Sequence, residues 1–337
     1  MKIILTGASG YIGSQLVDLW LKDNRIEEII AIDLKDPKFL FEESGPKIRF
    51  IKKNVADIDF EKEIPNPEEI NAVVHAAYLI RTPYFKKDIE FQDRSNFVGA
   101  ENIFRFALRN NISRLVHFST VAVYGADPKN NFTRLFKEEN EPREVHIKYG
   151  IDKKSIEHNL EELVSKYHAE TIVSALRVGS VSGPFGKYVV KKKGLLSFFR
   201  GLLPFIPVTS GYSARQFVHE DDVASAVNLC LFGDLENKFN VFNIAPNGYL
   251  TFKDIAKILA KKIIRIPRPL ISFTFFILWH LSFGKIPTPP NVINSYSFPI
   301  LVDGSKICSY GFRYEYNCLE AFASLKGKFG VFKPQKE

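Results

Sequence analysis

Leu5-Thr6-Gly7-Ala8-Ser9-Gly10-Tyr11-Ile12-Gly13 is the stretch on which the fold of this chain turns. Before it stands Lys2-Ile3-Ile4-Leu5, a short β-branched run suited to a buried parallel strand, and after it Tyr11 to Leu21 has helical character. Strand, glycine turn and helix together give a three-glycine pattern its meaning. Gly7 lets the chain turn sharply out of the strand, Gly10 leaves room for a pyrophosphate against the backbone, and Gly13 lets the helix pack closely on the sheet. Phosphates then sit at the helix N-terminus, where free N–H groups and the positive dipole end favour an anion. The spacing is G-x-x-G-x-x-G, one residue longer at the first gap than the commoner dinucleotide pattern.

Outward from the loop, apolar strand-like runs alternate with helix-like stretches. Ile29 to Asp33, Ile48 to Ile51, Ala72 to Ala77, Leu115 to Thr120 and Ile172 to Val178 read as strands, and Asn96 to Arg109 carries apolar residues at helical spacing. Such alternation implies parallel pairing through right-handed crossovers, hence an α/β, doubly wound parallel sheet of Rossmann type. Composition shifts near Gly179. The expected organisation is a dinucleotide-binding domain over 1–178, to which 217–243 returns, and a smaller, mostly C-terminal α/β substrate lobe from 179–216 and 244–330, followed by a tail at 331–337. Phe217 to Ala224 reads as the start of a helix with acidic residues in its first turn, Phe239 to Ala245 as a strand, and Thr251 to about Lys262 as a helix.

The 337 residues are 45% hydrophobic and 25% charged, which fits a folded chain with a substantial core. A net charge of +8 suits an anionic ligand. The cations are spread along the chain, so a basic solvated surface is expected and a nucleic-acid partner is not. Three scattered cysteines, Cys230, Cys308 and Cys318, suit a reducing cytoplasm and resemble neither a disulfide framework nor a metal site. The glycine loop begins at residue 7, which leaves no room for a cleavable signal peptide. The apolar run Pro269 to Phe283 falls short of the ~20 residues of a membrane span and contains His280. Lys191-Lys192-Lys193, Arg265 and Arg268 flank Phe- and Leu-rich stretches, a pattern open to membrane-surface contact. Helices that pack the lobe and close over the substrate are the favoured reading of the same stretches.

Asp33 ends the second strand, 20 residues past Gly13. A carboxylate there accepts hydrogen bonds from ribose hydroxyls and repels a 2′-phosphate, favouring NAD over NADP, with Lys35 weakening the discrimination. Tyr149 and Lys153 stand four apart on one helix face. A cation near a phenol favours phenolate and makes a base of it. Moving that pKa from ~10 to neutrality takes ~4 kcal/mol, more than one lysine supplies, and the positive nicotinamide ring is the second contributor. Thr120 follows the fifth strand, where carboxyl ends form the ligand crevice of open α/β sheets. Its hydroxyl suits a reacting oxygen, and equally a cap on the strand-to-loop turn.

This combination resembles the extended short-chain dehydrogenase/reductase superfamily, in particular its NAD-dependent epimerase/dehydratase group, over nearly the whole chain. Thr6 to Gly13 is similar to the cofactor loop, Asp57-Ile58 to the pair contacting adenine, His75-Ala76-Ala77 to the fourth-strand signature, and Asn96-Phe97-Val98-Gly99 to the helix whose Asn supports the cofactor site. Phe118-Ser119-Thr120 with Val123-Tyr124-Gly125 resembles the segment bearing the catalytic Ser or Thr, and Tyr149 with Lys153 the catalytic pair. Arg177, Gly183-Pro184, Arg215 to Ala224 and Phe242-Asn243-Ile244 resemble later landmarks. The resemblance implies an enzyme in which Thr120, Tyr149 and Lys153 are catalytic. NAD is held by Gly7, Gly10, Tyr11, Ile12, Gly13, Asp33, Asp57, Ile58, Ala76, Ala77, Asn96, Tyr149 and Lys153. It also implies a homodimer, and a keto intermediate that rotates and takes the hydride back on its other face.

Substrate identity follows less directly. An Asn that contacts the diphosphate in sugar-nucleotide members is here Ser180, Arg215 stands as a phosphate ligand, and a second family Arg has no match in Pro287 to Pro299. Dehydratase relatives carry an acidic pair after the catalytic Thr, where this chain has Val121-Ala122. The leading expectation is epimerisation of a nucleotide-linked sugar. The alternatives are an NAD-dependent dehydrogenase or reductase of a hydroxysteroid-like or other apolar alcohol, and a non-catalytic dinucleotide-binding protein.

Overall fold

The computed structural model describes the chain except residues 38–46, 81–82, 190–200, 202, 210–212, 290, 324–326 and 329–337. The Lys191-Lys192-Lys193 run and the tail 331–337 lie outside the described residues. Six strands of the first half are β1 (Lys2–Thr6), β2 (Glu28–Asp33), β3 (Ile48–Lys52), β4 (Ala72–His75), β5 (Arg114–Thr120) and β6 (Ile172–Val178). With a later strand, Phe239–Ile244, they form one seven-stranded sheet in the order β3-β2-β1-β4-β5-β6 and then Phe239–Ile244, every neighbouring pair parallel. This is the doubly wound Rossmann-type sheet. Its order reverses between β1 and β4, which opens the crevice at their carboxyl ends.

The strands are buried on both faces, so they read as continuous apolar runs rather than alternating ones. On one face pack α1 (Tyr11–Leu21) and the helix Glu220–Phe232, around the fully buried Trp20. The Trp20 indole N–H donates to Asn228 Oδ1 at 2.8 Å, which ties the two helices together. On the other face α2 (Lys86–Asp93) passes through a π-helical turn, Arg94–Val98, into α3 (Gly99–Arg109), which packs beside α4 (Lys148–Tyr167) over Phe104, Phe106, Ile156 and Leu160.

The remaining elements are, in chain order, β7 (Ser180–Ser182), α5 (Pro184–Val189), β8 (Phe205–Val208), β9 (Ala214–Arg215), β10 (Phe217–His219), α6 (Glu220–Phe232), β11 (Phe239–Ile244), β12 (Leu250–Thr251), α7 (Phe252–Ile258), β13 (Lys262–Arg265), α8 (Arg268–Leu281), α9 (Val292–Ser297) and α10 (Cys318–Ala323). Three two-stranded sheets, β7 with β10, β8 with β13 and β9 with β12, frame a separate core of Ile206, Phe217, Phe252, Ile255, Ile271 and Tyr296.

Two boundaries differ from the sequence reading. Phe217 to His219 is a strand, and the helix starts only at Glu220, because His219 takes the cap position and its Nδ1 accepts the Asp221 N–H at 3.1 Å. The helix after Thr251 carries a capping box with Asp254 but ends at Ile258, four residues before the expected Lys262. Ala260, at φ 52, turns the chain left-handed and sends it into β13.

Trp20 has no exposed surface and joins α1 to α6. Trp20→Ala is expected to cost ~3–5 kcal/mol through the cavity and the orphaned Asn228 partner, seen as a lowered midpoint in urea unfolding followed by circular dichroism.

Candidate active site

The glycine loop is built against the end of β4. Gly7 has φ 74, and a Cβ there would lie 2.6 Å from the Ala77 nitrogen; at Gly13 it would lie 2.1 Å from the Gly7 carbonyl oxygen. Gly13 is therefore demanded by the loop itself rather than by the sheet. Gly10 precedes the first turn of α1, and its N–H donates to Gly7 O at 3.0 Å.

A groove of about 190 Å³ runs along this loop, lined by Gly7, Gly10, Asp33, Ala76, Ala77 and Asn96 among others. The Asp33 carboxylate accepts N–H groups from Ser9 at 3.0 Å and Lys35 at 2.9 Å, one on each oxygen. Each oxygen keeps a lone-pair site for another donor. Asn96 stands in the π-helical turn and pairs with the Leu79 backbone, accepting its N–H at 2.8 Å and donating to its carbonyl at 3.2 Å.

Four of the expected cofactor residues, Ile58, Asp57, Tyr11 and Ile12, are not among those that line this groove. Ile58 is 99% exposed and does not line the groove; Asn54 and Val55 line it instead, three residues earlier. Asn54 Oδ1 accepts the Ala56 N–H at 3.0 Å, a tight turn that sets the direction in which Asp57 and Ile58 leave the strand end. Asp57 lines an adjoining cavity, 3.4 Å from Arg94. Tyr11 hydrogen-bonds Glu220, whose carboxylate also accepts the Phe185 N–H at 2.9 Å and the Gly186 N–H at 3.1 Å. Ile12 packs against the core beneath α1.

At the carboxyl end of β5, Thr120 caps the turn Val121–Tyr124, its Oγ1 accepting the Ala122 N–H at 3.2 Å. The Thr120 side chain also acts on the Tyr149 phenol, favouring its ionised form. Capping and chemistry thus share one side chain. The approach is close because residue 150 is glycine: a Cβ there would lie 2.7 Å from the Ala122 carbonyl oxygen. Glu144 fixes the start of α4, accepting N–H groups of Val145, His146 and Ile147 at 2.9, 2.6 and 3.1 Å.

Lys153, one turn on, is buried, donates to the Phe118 carbonyl, and lies 4.2 Å from the Tyr78 ring centroid. Tyr78 meets Tyr149 edge to face at 5.5 Å. Burial pushes the Lys153 ammonium down to about 7, against the pull of the Glu157 and Asp152 carboxylates. Burial also raises the Tyr149 phenol, and the Thr120 side chain acts in the opposite sense. Beneath them, burial and the Lys153 charge hold His75 down to about 3 and His117 well below its usual range.

Ser180 opens β7, two residues past Val178, the register partner of Thr120 on β6. Arg215 is turned away from open solvent: its guanidinium donates to Ala214 O at 2.7 Å and to Ser295 O, over the Phe252 ring. Burial lowers it to about 10. Among the described residues no group of three His, Cys, Asp or Glu side chains is placed to hold a metal ion.

Sequence reasoning missed Tyr78, Glu144 and Glu157. Glu157 had a readable signal, since it falls four residues after Lys153 on the face that carries Tyr149. Tyr78 follows directly on the His75-Ala76-Ala77 signature.

The depressed Lys153 pKa has a stability consequence. Between about 7 and the ordinary lysine value of 10.5 the unfolded chain holds the proton that the native state has lost, so native stability rises with pH through this window and the full penalty stands below it. Lys153→Met is expected to be the more stable protein near pH 6, by on the order of a few kcal/mol. The difference should shrink toward pH 10.5, the ordinary lysine value, in thermal melts across pH.

Comparison with known proteins places this architecture. The chain is 26% identical over 274 residues to a dTDP-D-glucose 4,6-dehydratase of Dictyostelium discoideum, covering 76% of this chain and 61% of that protein. It is 27% identical over 273 residues to an ADP-L-glycero-D-manno-heptose-6-epimerase of Brachyspira hyodysenteriae, covering 76% and 80%. Its fold matches a crystal structure of UDP-glucose 4-epimerase with UDP-glucose from Thermotoga maritima at TM-score 0.71, with 20% identity over 96% of each chain. The profile of one enzyme family matches residues 3–245, from β1 through the last strand of the main sheet, and by that match the chain belongs to the NAD dependent epimerase/dehydratase family.

Proposed function

We propose that this chain epimerises a nucleotide-linked sugar, with Tyr149 as general base and acid. The observation that carries the reading is the convergence of Thr120, Tyr149 and buried Lys153 at the carboxyl end of β5, where Tyr78 touches both Tyr149 and Lys153 and lines the glycine-loop groove. The groove fits a dinucleotide: Gly7 and Gly10 present backbone to a pyrophosphate, the first turn of α1 offers N–H groups, and Asp33 offers free lone pairs to ribose hydroxyls. Ala76, Ala77, Asn96, Asn54 and Val55 line the same groove, and Asp57, on the adjoining cavity with Ile58 next to it, is the proposed adenine contact. NAD supplies, when bound, a carbon that accepts and returns hydride.

The chain's own residues handle the proton and the oxygen. Tyr149 Oη takes the proton of the reacting hydroxyl, and Thr120 Oγ1 holds that oxygen while its own lone pair is engaged by Ala122 N–H. Lys153, held by the Phe118 carbonyl, would hold a ribose hydroxyl of the bound cofactor and, when protonated, would add positive charge beside the phenol. Ser180, just beyond Thr120 in register, and Arg215 are the proposed substrate contacts; Arg215 would exchange two backbone carbonyls for a phosphate, a charge-assisted and bidentate gain. Dehydration is disfavoured by Val121 and Ala122, which offer no acid or base after Thr120. Three free cysteines support a reducing, cytoplasmic setting, and the family resemblance supports a homodimer.

One observation favours a second reading, net oxidation or reduction of an apolar alcohol: Arg215 is already committed to Ala214 and Ser295 carbonyls. Absorbance at the reduced-nicotinamide band separates the two, since epimerisation leaves it flat at steady state and a dehydrogenase moves it. With a panel of UDP-, GDP- and dTDP-sugars, Tyr149→Phe is expected to lose ~10²–10⁴ in turnover and to keep NAD affinity nearly unchanged. Undiminished turnover in this variant would overturn the assignment of the base.

A further inference from the structure

The cations of this chain are spread along it, but the acids are not. Residues 171–219 contain no Asp or Glu and seven Lys or Arg, and residues 255–302 contain no Asp or Glu and six Lys or Arg. Parallel pairing of β8 with β13 joins these two stretches side by side in the second core.

The second stretch contains α8, whose composition is apolar around most of its circumference. Its inward face is accounted for by buried Ile271 and Trp279, with Phe275 packed against the lobe core. Its other face is not. Leu270, Phe273, Phe276 and Leu281 are 56, 59, 58 and 77% exposed, and recur at helical spacing on one side. The apolar surface continues past the helix end: Phe283 is 60% exposed and stacks at 6.3 Å on Phe85, itself 56% exposed. Isolated exposed apolar side chains are ordinary; a contiguous aromatic face of this kind marks an interaction surface.

Lys262 and Arg265 on the strand that leads into α8, Arg268 at its first residue and Lys285 just after its end are exposed, and none takes part in an ion pair among the described residues; Arg268 is turned toward α9, donating to Asn294 and lying over the Phe298 ring. At 14 residues α8 spans ~21 Å, and among the described residues no helix is long and apolar enough to cross a membrane. An apolar helix face with a basic rim and no acidic residue nearby in sequence has the chemistry of a helix that lies in a bilayer interface, with rings at the acyl boundary and cations at phosphate level.

We infer that the exposed face of α8, with Phe283 and Phe85, docks the protein on an anionic phospholipid surface. The docked element is tied to the domain that carries the site: Tyr84 hydrogen-bonds His280 of α8 at 3.0 Å, and Asn291, at the cap of α9, donates to the His146 carbonyl at 3.1 Å, three residues before Tyr149. The inference stands on surface chemistry alone and is independent of which sugar or alcohol is turned over.

The test is co-sedimentation of the full chain with phosphatidylcholine vesicles, with and without phosphatidylglycerol. The protein is expected to pellet with phosphatidylglycerol vesicles at low salt and to be released as salt rises. Phe273→Ser with Leu281→Ser should weaken binding ~tenfold or more, with unchanged thermal unfolding. Arg265→Gln with Lys285→Gln should weaken it roughly fivefold per charge removed and provides the decisive pair should the first variant misfold. Absence of pelleting on phosphatidylglycerol vesicles at low salt would overturn the inference, as would binding indifferent to both pairs. So would a lipid-free dimer in sedimentation velocity that Phe273→Ser with Leu281→Ser dissociates, since that assigns the face to a second copy of the chain.

Discussion

The buried ion pair between Arg177 and Glu157 holds the reactive edge of the sheet in place. Their side chains are 5% and 7% exposed, and the guanidinium meets the carboxylate through Nε at 3.0 Å and through a second nitrogen. Two charges taken out of water gain little unless every remaining donor and acceptor is answered. Here they are answered from three strands and a helix. Ser119 Oγ donates to Glu157 at 2.7 Å, Arg177 donates to the Tyr124 hydroxyl at 2.7 Å, and that hydroxyl donates to Asn243 Oδ1 at 2.8 Å. The network therefore spans β5, β6, β11 and α4, and it is anchored one residue from Thr120 and two helical turns from Tyr149. Removing one member of such a pair strands the other charge, which typically costs 3–5 kcal/mol. Position in the active site is bought with that rigidity.

Above this anchor, the site sets two groups whose charged forms are both disfavoured by burial. Lys153 moves down toward neutrality and Tyr149 moves up, so the dry pocket opposes charge on either one. The hydroxyl of Thr120 is the local group that favours phenolate. The Phe118 carbonyl and the Tyr78 face are the local groups that hold the ammonium, by hydrogen bond and by cation–π attraction. Base strength at Tyr149 is then a property of the occupied groove as a whole rather than of a tyrosine–lysine spacing.

Much of the architecture was legible in sequence because the features that encode it are local. Three glycines in a turn, five apolar runs and a tyrosine four residues from a lysine each carry their geometry within a few positions. The misreadings share a cause. Asp57-Ile58 is implied by the family resemblance alone, and the turn made by Asn54, which sets Asp57 on the adjoining cavity, leaves no periodic trace. The strand at Phe217 and the early helix end at Ile258 depend on pairing with β7 and on the left-handed Ala260, neither of which leaves a periodic trace. Glu144 holds the three amides that follow it ahead of α4, a local cap outside the usual sequence signature, and Tyr78 makes long-range contacts with Tyr149 and Lys153 whose significance appears only once the chain is folded.

Glu220 has a mechanical consequence. One carboxylate accepts the hydroxyl of Tyr11, from the first turn after the glycine loop, and the backbone N–H groups of Phe185 and Gly186, from the first turn of α5. Gly183 leaves the space for it, since a Cβ there would lie 2.2 Å from the carboxylate carbon. The loop and α5 are thus bolted to the same atom pair. Separating α5 from the start of α1 would therefore break three hydrogen bonds at once, which couples the position of the glycine loop to that of the lobe that begins beyond β6.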